Sequence, residues 1–282
     1  MTNTASQPLF ETVAFIGMGL IGSSMARRIK RDGLANKITC AVRSEATRDR
    51  VLELGIADAA YCDIKQAVGD ADLVMVCAPV GANESIGAQL TGALKKGAIV
   101  SDVGSVKQSV IRDIAPHLDE GVHFVPGHPL AGTEHSGPDS GFPELFEERW
   151  CILTPIPGEN EEAVAKVRGL WEACGMHVEC MDADHHDRIL GITSHLPHLI
   201  AYTIVGTATD LEDALRQEVI KFSATGFRDF TRIAASDPTM WRDVFLNNRE
   251  AVLDVLGRFQ EDLMALQRAI RWGEGDKLFD LF

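Results

Sequence analysis

Residues 13–16 form a short apolar run closed by Gly17, and residues 20–29 beyond it carry apolar side chains at helical spacing. The same strand, turn and helix recur: strands over 38–42, 73–77, 98–103 and 122–125, helices over 45–54, 84–94 and 106–118. Parallel strands need crossover connections, so this alternation predicts a parallel sheet with helices on both faces. Two more strand-like runs, 150–154 and 177–181, flank a helical stretch over 161–174. From Asp184 onward helical text takes over, which places a boundary near Asp182. The expected architecture is α/β: an N-terminal doubly wound sheet over 1–182 followed by an all-helical C-terminal domain over 183–282. In the last helix Val252, Leu256, Phe259, Leu263, Leu266 and Ile270 recur at alternating steps of four and three, the period of a helix-packing seam. That stripe serves either as core or as a dimer interface, and in a small helical domain a homodimer through this region is the favoured reading.

Composition narrows the classes. The 282 residues are 45% hydrophobic and 24% charged, an ordinary globular balance with no case for disorder. A net charge of -14 repels a phosphate backbone, so nucleic acid is not an expected partner, and any bound anion needs a local positive cluster. No run approaches the ~18 apolar residues that a membrane span requires. The opening MTNTASQPLF lacks a signal pattern, so the expected location is cytoplasmic, away from membranes. Six cysteines, at 40, 62, 77, 151, 174 and 180, form no CxxC pair, and HExxH is absent. They read as reduced core residues, and no metal site is expected.

Gly17, Gly19 and Gly22 form GMGLIG after the first strand and at the mouth of the first helix. Glycines there permit a tight turn and close approach, and a helix N-terminus offers free N–H groups to a pyrophosphate. The expected fold is therefore a Rossmann-type dinucleotide-binding domain, with Leu20 and Ile21 completing the cofactor loop; the bland alternative is a tight turn and nothing more. Where enzymes preferring NAD carry an acidic residue, this chain has Val42, Arg43 and Ser44. A 2′-phosphate can pair with the guanidinium and the hydroxyl, so NADP is favoured and NAD remains open; otherwise Arg43 is a solvated loop charge.

Ligands of such sheets gather outside the carboxyl ends of the strands. The loops SDVGSVK (101–107) and PGHPLAGTEHSG (126–137) both follow strands there. Ser105 is either a helix N-cap or a site residue, and Lys107, unhelpful to a helix dipole in a first turn, suggests an anionic ligand nearby. A neutral His128 in its loop can accept the proton of a substrate hydroxyl while the carbon gives up hydride. In the helical part SHLPH sets His195 and His198 around Pro197, with His185 and His186 upstream. One of the four is expected in the cleft, the others at the surface or as caps. Arg228 and Arg232, in GFRDFTRIAASDP, suit carboxylate binding unless they pair with Asp229 or Asp237.

Taken together, GMGLIG, DVGSVK, GHPLAGTEHSG, SHLPH and GFRDFTRIAASDP resemble the prephenate and arogenate dehydrogenases of tyrosine biosynthesis, in the family's order from about Val13 to Trp241. The resemblance implies oxidative decarboxylation of prephenate or arogenate: hydride leaves ring C4 for the nicotinamide, His128 takes the C4 hydroxyl proton, and loss of carbon dioxide aromatises the ring. It implies that Ser105 orients the hydroxyl and the histidine, and that His198 and Arg232 line the substrate site, Arg232 on a carboxylate. Thr133 and Glu134 would stand at the pocket mouth with Trp241 near it, and the helical domain would dimerise. One departure is Thr225, where the family often has a glycine before Gly226. No fused mutase or regulatory domain is expected on either side. A 3-hydroxyacid dehydrogenase would usually rely on a helix-borne lysine where this chain has SHLPH, and an NADP-sensing regulatory protein would make His128 expendable. The choice between the pyruvyl side chain of prephenate and the alanyl one of arogenate stays open, with Glu134 a candidate anion for the latter's ammonium.

Overall fold

Val13 and Phe15 of the first strand enter one apolar cluster, Ala14 and Ile16 the other, and Leu73 and Met75 alternate with Val74 and Val76 in the same way. A strand buried on both faces reads as continuous apolar text because its two-residue period feeds two cores. In this computed structural model, which describes residues 7–133, 135–211 and 213–282, the strands are β1 (Phe10–Ile16), β2 (Ala35–Ala41), β3 (Ala59–Tyr61), β4 (Leu73–Val76), β5 (Ile99–Asp102) and β6 (His123–Phe124). They form one sheet in the order β3-β2-β1-β4-β5-β6, with every neighbouring pair parallel. The crossovers carry α1 (Leu20–Asp32), α2 (Glu45–Glu53), α3 (Ile64–Val68), α4 (Asn83–Leu90) and α5 (Lys107–Ile114). The strand order reverses between β1 and β4, which opens a crevice beyond their carboxyl ends.

A second, three-stranded sheet holds β7 (Gly127–Pro129), β8 (Trp150–Leu153) and β9 (His177–Cys180), β7 antiparallel and β9 parallel to β8, with α6 (Glu161–Ala173) between β8 and β9. The helical text yields α7 (Ala183–Leu190), a π-turn (Gly191–His195), α8 (Leu196–Thr209), α9 (Asp213–Phe222), α10 (Thr225–Thr231), α11 (Pro238–Asn247), α12 (Arg249–Trp272) and α13 (Gly275–Leu281).

Two compact units emerge, one ending at His186 and taking in Asp237–Asn247, the other made of Asp187–Ser236 and Asn248–Phe282. By compactness, α11, helical in text, packs with the first unit. A Cβ on Gly81 would lie 2.5 Å from Asp243 Oδ2, and Arg112 donates to Asn247 Oδ1 at 3.2 Å, so the absence of a side chain at Gly81 admits the helix. The short helix α3 and two strands are added to those read from the pattern. β3 is Ala-Ala-Tyr, without a β-branched residue, and β7 is a strand built on Gly-His-Pro, so His128 lies in a strand and not in a loop.

In the second unit, the α12 stripe is covered only in part. Val252 is buried, Leu256, Phe259 and Leu266 are half-buried, and Leu263 and Ile270 are exposed. Ala183–Thr209 is a 27-residue helical run long and apolar enough, by length and composition alone, to cross a membrane. The sequence pattern read as containing no such run, because Pro197 and the histidines break the apolar text without ending the helix. Core helices of soluble proteins meet the same test.

Candidate active site

Gly17 has φ +97, and a Cβ there would meet Cys77 O at 2.9 Å, where the ends of β1 and β4 approach each other. A Cβ on Gly22 would lie 2.5 Å from Gly17 O, so this glycine lets α1 pack onto the turn. Gly19 differs: a Cβ there meets nothing within 4 Å. The first and third glycines are demanded by the protein, and the second leaves space that no protein atom fills. Gly19 is also the N-cap of α1, with no side-chain cap and no acidic residue in the first turn. Open backbone N–H groups and an uncompensated positive helix end fit a dinucleotide pyrophosphate, with Leu20 and Ile21 opening the helix beneath it.

At the end of β2, Val42 is buried and Arg43 exposed, with no hydrogen bond or ion pair to a described residue. Ser44 caps α2, its Oγ accepting from Thr47 N at 3.2 Å. The Ser44 oxygen is thus partly committed, and Arg43 is the available group.

His128 is 8% exposed and reached from β5 by a clamp of buried charges. Asp102 Oδ1 accepts from Gly127 N at 3.1 Å, while Lys107 Nζ donates to Asp102 Oδ2 and to Gly127 O, both at 2.5 Å. Gly104 N donates to Asp102 Oδ2 at 2.7 Å. Both main-chain groups of Gly127 are therefore held one residue before His128, at the carboxyl end of the main sheet. This corrects two readings. The α5 N-cap is Val106, not Ser105, whose half-buried hydroxyl has no hydrogen bond to a described residue. Lys107, 0% exposed, has its counter-anion in Asp102 and needs no anionic ligand.

The ring of His128 meets a second imidazole, with Nδ1 2.9 Å from His186 Nε2 and the rings edge-on at 65°. His186 and His195 are both fully buried, so the histidines beyond the cleft are not all surface groups; only His185 is exposed. Sequence reasoning missed the roles of Asp102, Lys107 and His186. For Asp102 and Lys107 the signal was charge inside apolar text, which a fold must pair before burying; His186, within the polar run DADHHDR, carried none.

Thr133 is exposed, its Oγ1 accepting from His135 N at 3.3 Å, and Glu134 lies outside the described residues. Trp241, on α11 in the first unit, is buried, with its ring 5.5 Å from that of Phe245.

The second unit holds the other candidates. The π-turn before α8 is a geometry that recurs at functional sites. Asn248 Nδ2 lies 2.8 Å from Asp187 O and 3.0 Å from His195 Nδ1, tying the turn to the start of α12. His198 Nδ1 is 2.8 Å from Ser194 O, so Nδ1 donates and Nε2 is an acceptor in the neutral ring. Burial pushes His198 below the ordinary histidine range, partly offset by that hydrogen bond. α8 packs against α10 and the turn Arg232–Ala235, and Tyr202 OH donates to Ser236 O at 2.7 Å. Arg228 and Arg232 are exposed and pair with no described residue, neither Asp229 nor Asp237.

Burial lifts the Cys40 and Cys174 thiols to about 12, as befits core residues, but Cys62 is exposed. Among the described residues no group of three metal-ligating side chains gathers.

Comparison with known proteins assigns both parts of the chain. Residues 25–180 match the family model for the prephenate dehydrogenase nucleotide-binding domain, and residues 182–282 the one for the prephenate dehydrogenase dimerization domain. A cyclohexadienyl dehydrogenase of Zymomonas mobilis is 44% identical over 97% of this chain and 93% of its own length. The crystal structure of Aquifex aeolicus prephenate dehydrogenase in complex with hydroxyphenyl propionate and NAD+ aligns at TM-score 0.88 and 34% identity, covering 96% of this chain and 94% of that one. Synechocystis arogenate dehydrogenase aligns at TM-score 0.80 and 25% identity, covering 96% and 95%. The glycine cradle, the buried histidine beyond β5 and these matches agree, and the chain belongs to the prephenate dehydrogenase family of oxidoreductases.

Proposed function

We propose that this chain carries out the NAD(P)-dependent oxidative decarboxylation of prephenate, arogenate or both, with His128 as the general base. The observation that carries the assignment is the placement of His128, buried at the carboxyl end of the sheet and pinned through Gly127 by Asp102 and Lys107. Nδ1 of His128 is engaged by His186, so uptake of the C4 hydroxyl proton falls to Nε2. A bound nicotinamide supplies the hydride acceptor. Ser105 orients the hydroxyl, Arg232, its guanidinium uncommitted, takes a substrate carboxylate, and His198 also lines the substrate site. The Lys107 ammonium is neutralised by Asp102, which leaves the departing ring carboxylate unclamped by that cation, as a decarboxylation requires. Thr133, Glu134 and Trp241 complete the substrate side.

Arg43 supports a preference for NADP over NAD, since an exposed, unpaired guanidinium suits a 2′-phosphate and no carboxylate stands at that position to receive a ribose hydroxyl. The part-exposed α12 stripe supports a homodimer through the helical domain, and a cytoplasmic location fits a biosynthetic enzyme of small soluble substrates. The test is nicotinamide reduction followed by absorbance, pairing prephenate or arogenate with NAD or NADP. Turnover in one or more pairs is expected, fastest with NADP; silence in all four from a folded, cofactor-binding protein contradicts the proposal.

A further inference from the structure

His186 lies outside the sequence stretches that carry the family resemblance, yet it is paired with His128. We infer that His186 is a positioning residue that fixes the tautomer of His128. The inference rests on the proposed role of His128 as base. Two ring nitrogens 2.9 Å apart share one proton: one carries N–H and the other a lone pair. A base acting through Nε2 must hold its resting proton on Nδ1, so His128 donates and His186 Nε2 accepts. His186 is then neutral and bears its own proton on Nδ1. The reverse arrangement, with His186 donating, would put the His128 proton on Nε2 and abolish its capacity as base.

The surroundings of His186 are built to keep it in place. It is 0% exposed and sits in the first turn of α7, where Asp182 caps the helix, its Oδ1 accepting from His185 N at 2.9 Å and its carbonyl from His186 N at 3.0 Å. When His128 takes the hydroxyl proton, the cation that forms already donates through Nδ1 to a neutral acceptor, and a charge-assisted hydrogen bond strengthens as the charge develops. An imidazole acceptor does this without a standing negative charge, so the resting base is not held protonated as it would be by a carboxylate.

Gln places its Oε1 near the position of a histidine Nε2 and can accept the same hydrogen bond; Leu cannot. His186→Leu is expected to lower kcat at least ~10-fold, the scale of a misplaced or wrongly protonated catalytic group. KM for the substrate and Kd for the cofactor should stay within about twofold, and His186→Gln should restore most of the lost kcat. A Leu variant with wild-type kcat, or a Gln variant no better than Leu, overturns the inference. Nitrogen-15 histidine spectra of the unaltered protein at neutral pH provide a reading that needs no variant: a His128 ring protonated on Nδ1 is expected, and one protonated on Nε2 overturns it. His128→Asn, assayed in parallel, separates the two levels. If it keeps turnover, the base assignment fails; if it loses turnover while His186→Leu does not, only the role of His186 fails.

Discussion

Replacing Lys107 by Met removes the ammonium from a site that is 0% exposed and leaves Asp102, 1% exposed, holding only the N–H groups of Gly104 and Gly127. Breaking a buried pair by deleting one partner costs about 3–5 kcal/mol, because the surviving charge stays buried without compensation. At about 2–4 °C per kcal/mol for a unit of this size, the melting temperature should fall by roughly 6–20 °C. The carbonyl of Gly127 loses its donor as well, so His128 should loosen and kcat fall, while cofactor affinity, which the proposed site places at the β1–α1 turn, should be retained. Adding Asp102→Asn to Lys107→Met removes the stranded charge and should recover part of the stability but little of the activity. Thermal melting of the three proteins, with turnover measured on each, tests the chain of reasoning. A loss below about 1 kcal/mol in the single variant would mean that the pair behaves like an exposed one, and would refute the buried clamp.

Three other outcomes follow from the geometry. Gly19→Ala should weaken NAD(P) binding at least ~10-fold with little change in stability, whereas Gly17→Ala, forced to φ +97 against Cys77 O, should cost about 1 kcal/mol or more; binding titrations and melts distinguish them. Arg43→Ala should raise the KM for NADP by about 10-fold or more and leave NAD within twofold, since a hydrogen bond to a charged group contributes about 1.5–3 kcal/mol; equal effects on both cofactors would remove Arg43 from the phosphate site. Burial depresses His198, so the unfolded chain binds its proton first: this contribution is whole above about pH 6.5 and is lost as pH falls toward the folded-state value. His198→Gln should flatten the fall of melting temperature below that pH, and an unchanged slope would contradict the assignment.

Much of the fold was legible because its signals are local. Val13 to Ile16 alternate between two cores, and GMGLIG announces a turn whose glycines separate into two that the packing needs and one, Gly19, that faces open space where we propose the cofactor binds. What stayed hidden depends on contacts remote in sequence. β7 has no strand composition and exists because β8 and the Asp102–Lys107 clamp hold Gly127. α11 reads as part of the helical domain, yet Gly81 admits it to the other unit. His185 and His186 are indistinguishable as text, and only the helical phase set by Asp182 turns one to solvent and the other onto His128. The charge of Lys107 suggested a ligand because its partner, five residues earlier, was read as part of a strand.

The central claim is that His128 is the base. Steady-state turnover of His128→Asn with the better substrate and cofactor at neutral pH tests it most directly, alongside a cofactor titration. The account predicts a kcat at least ~100-fold below that of the unaltered protein with cofactor affinity unchanged; turnover equal to that of the unaltered protein would contradict it.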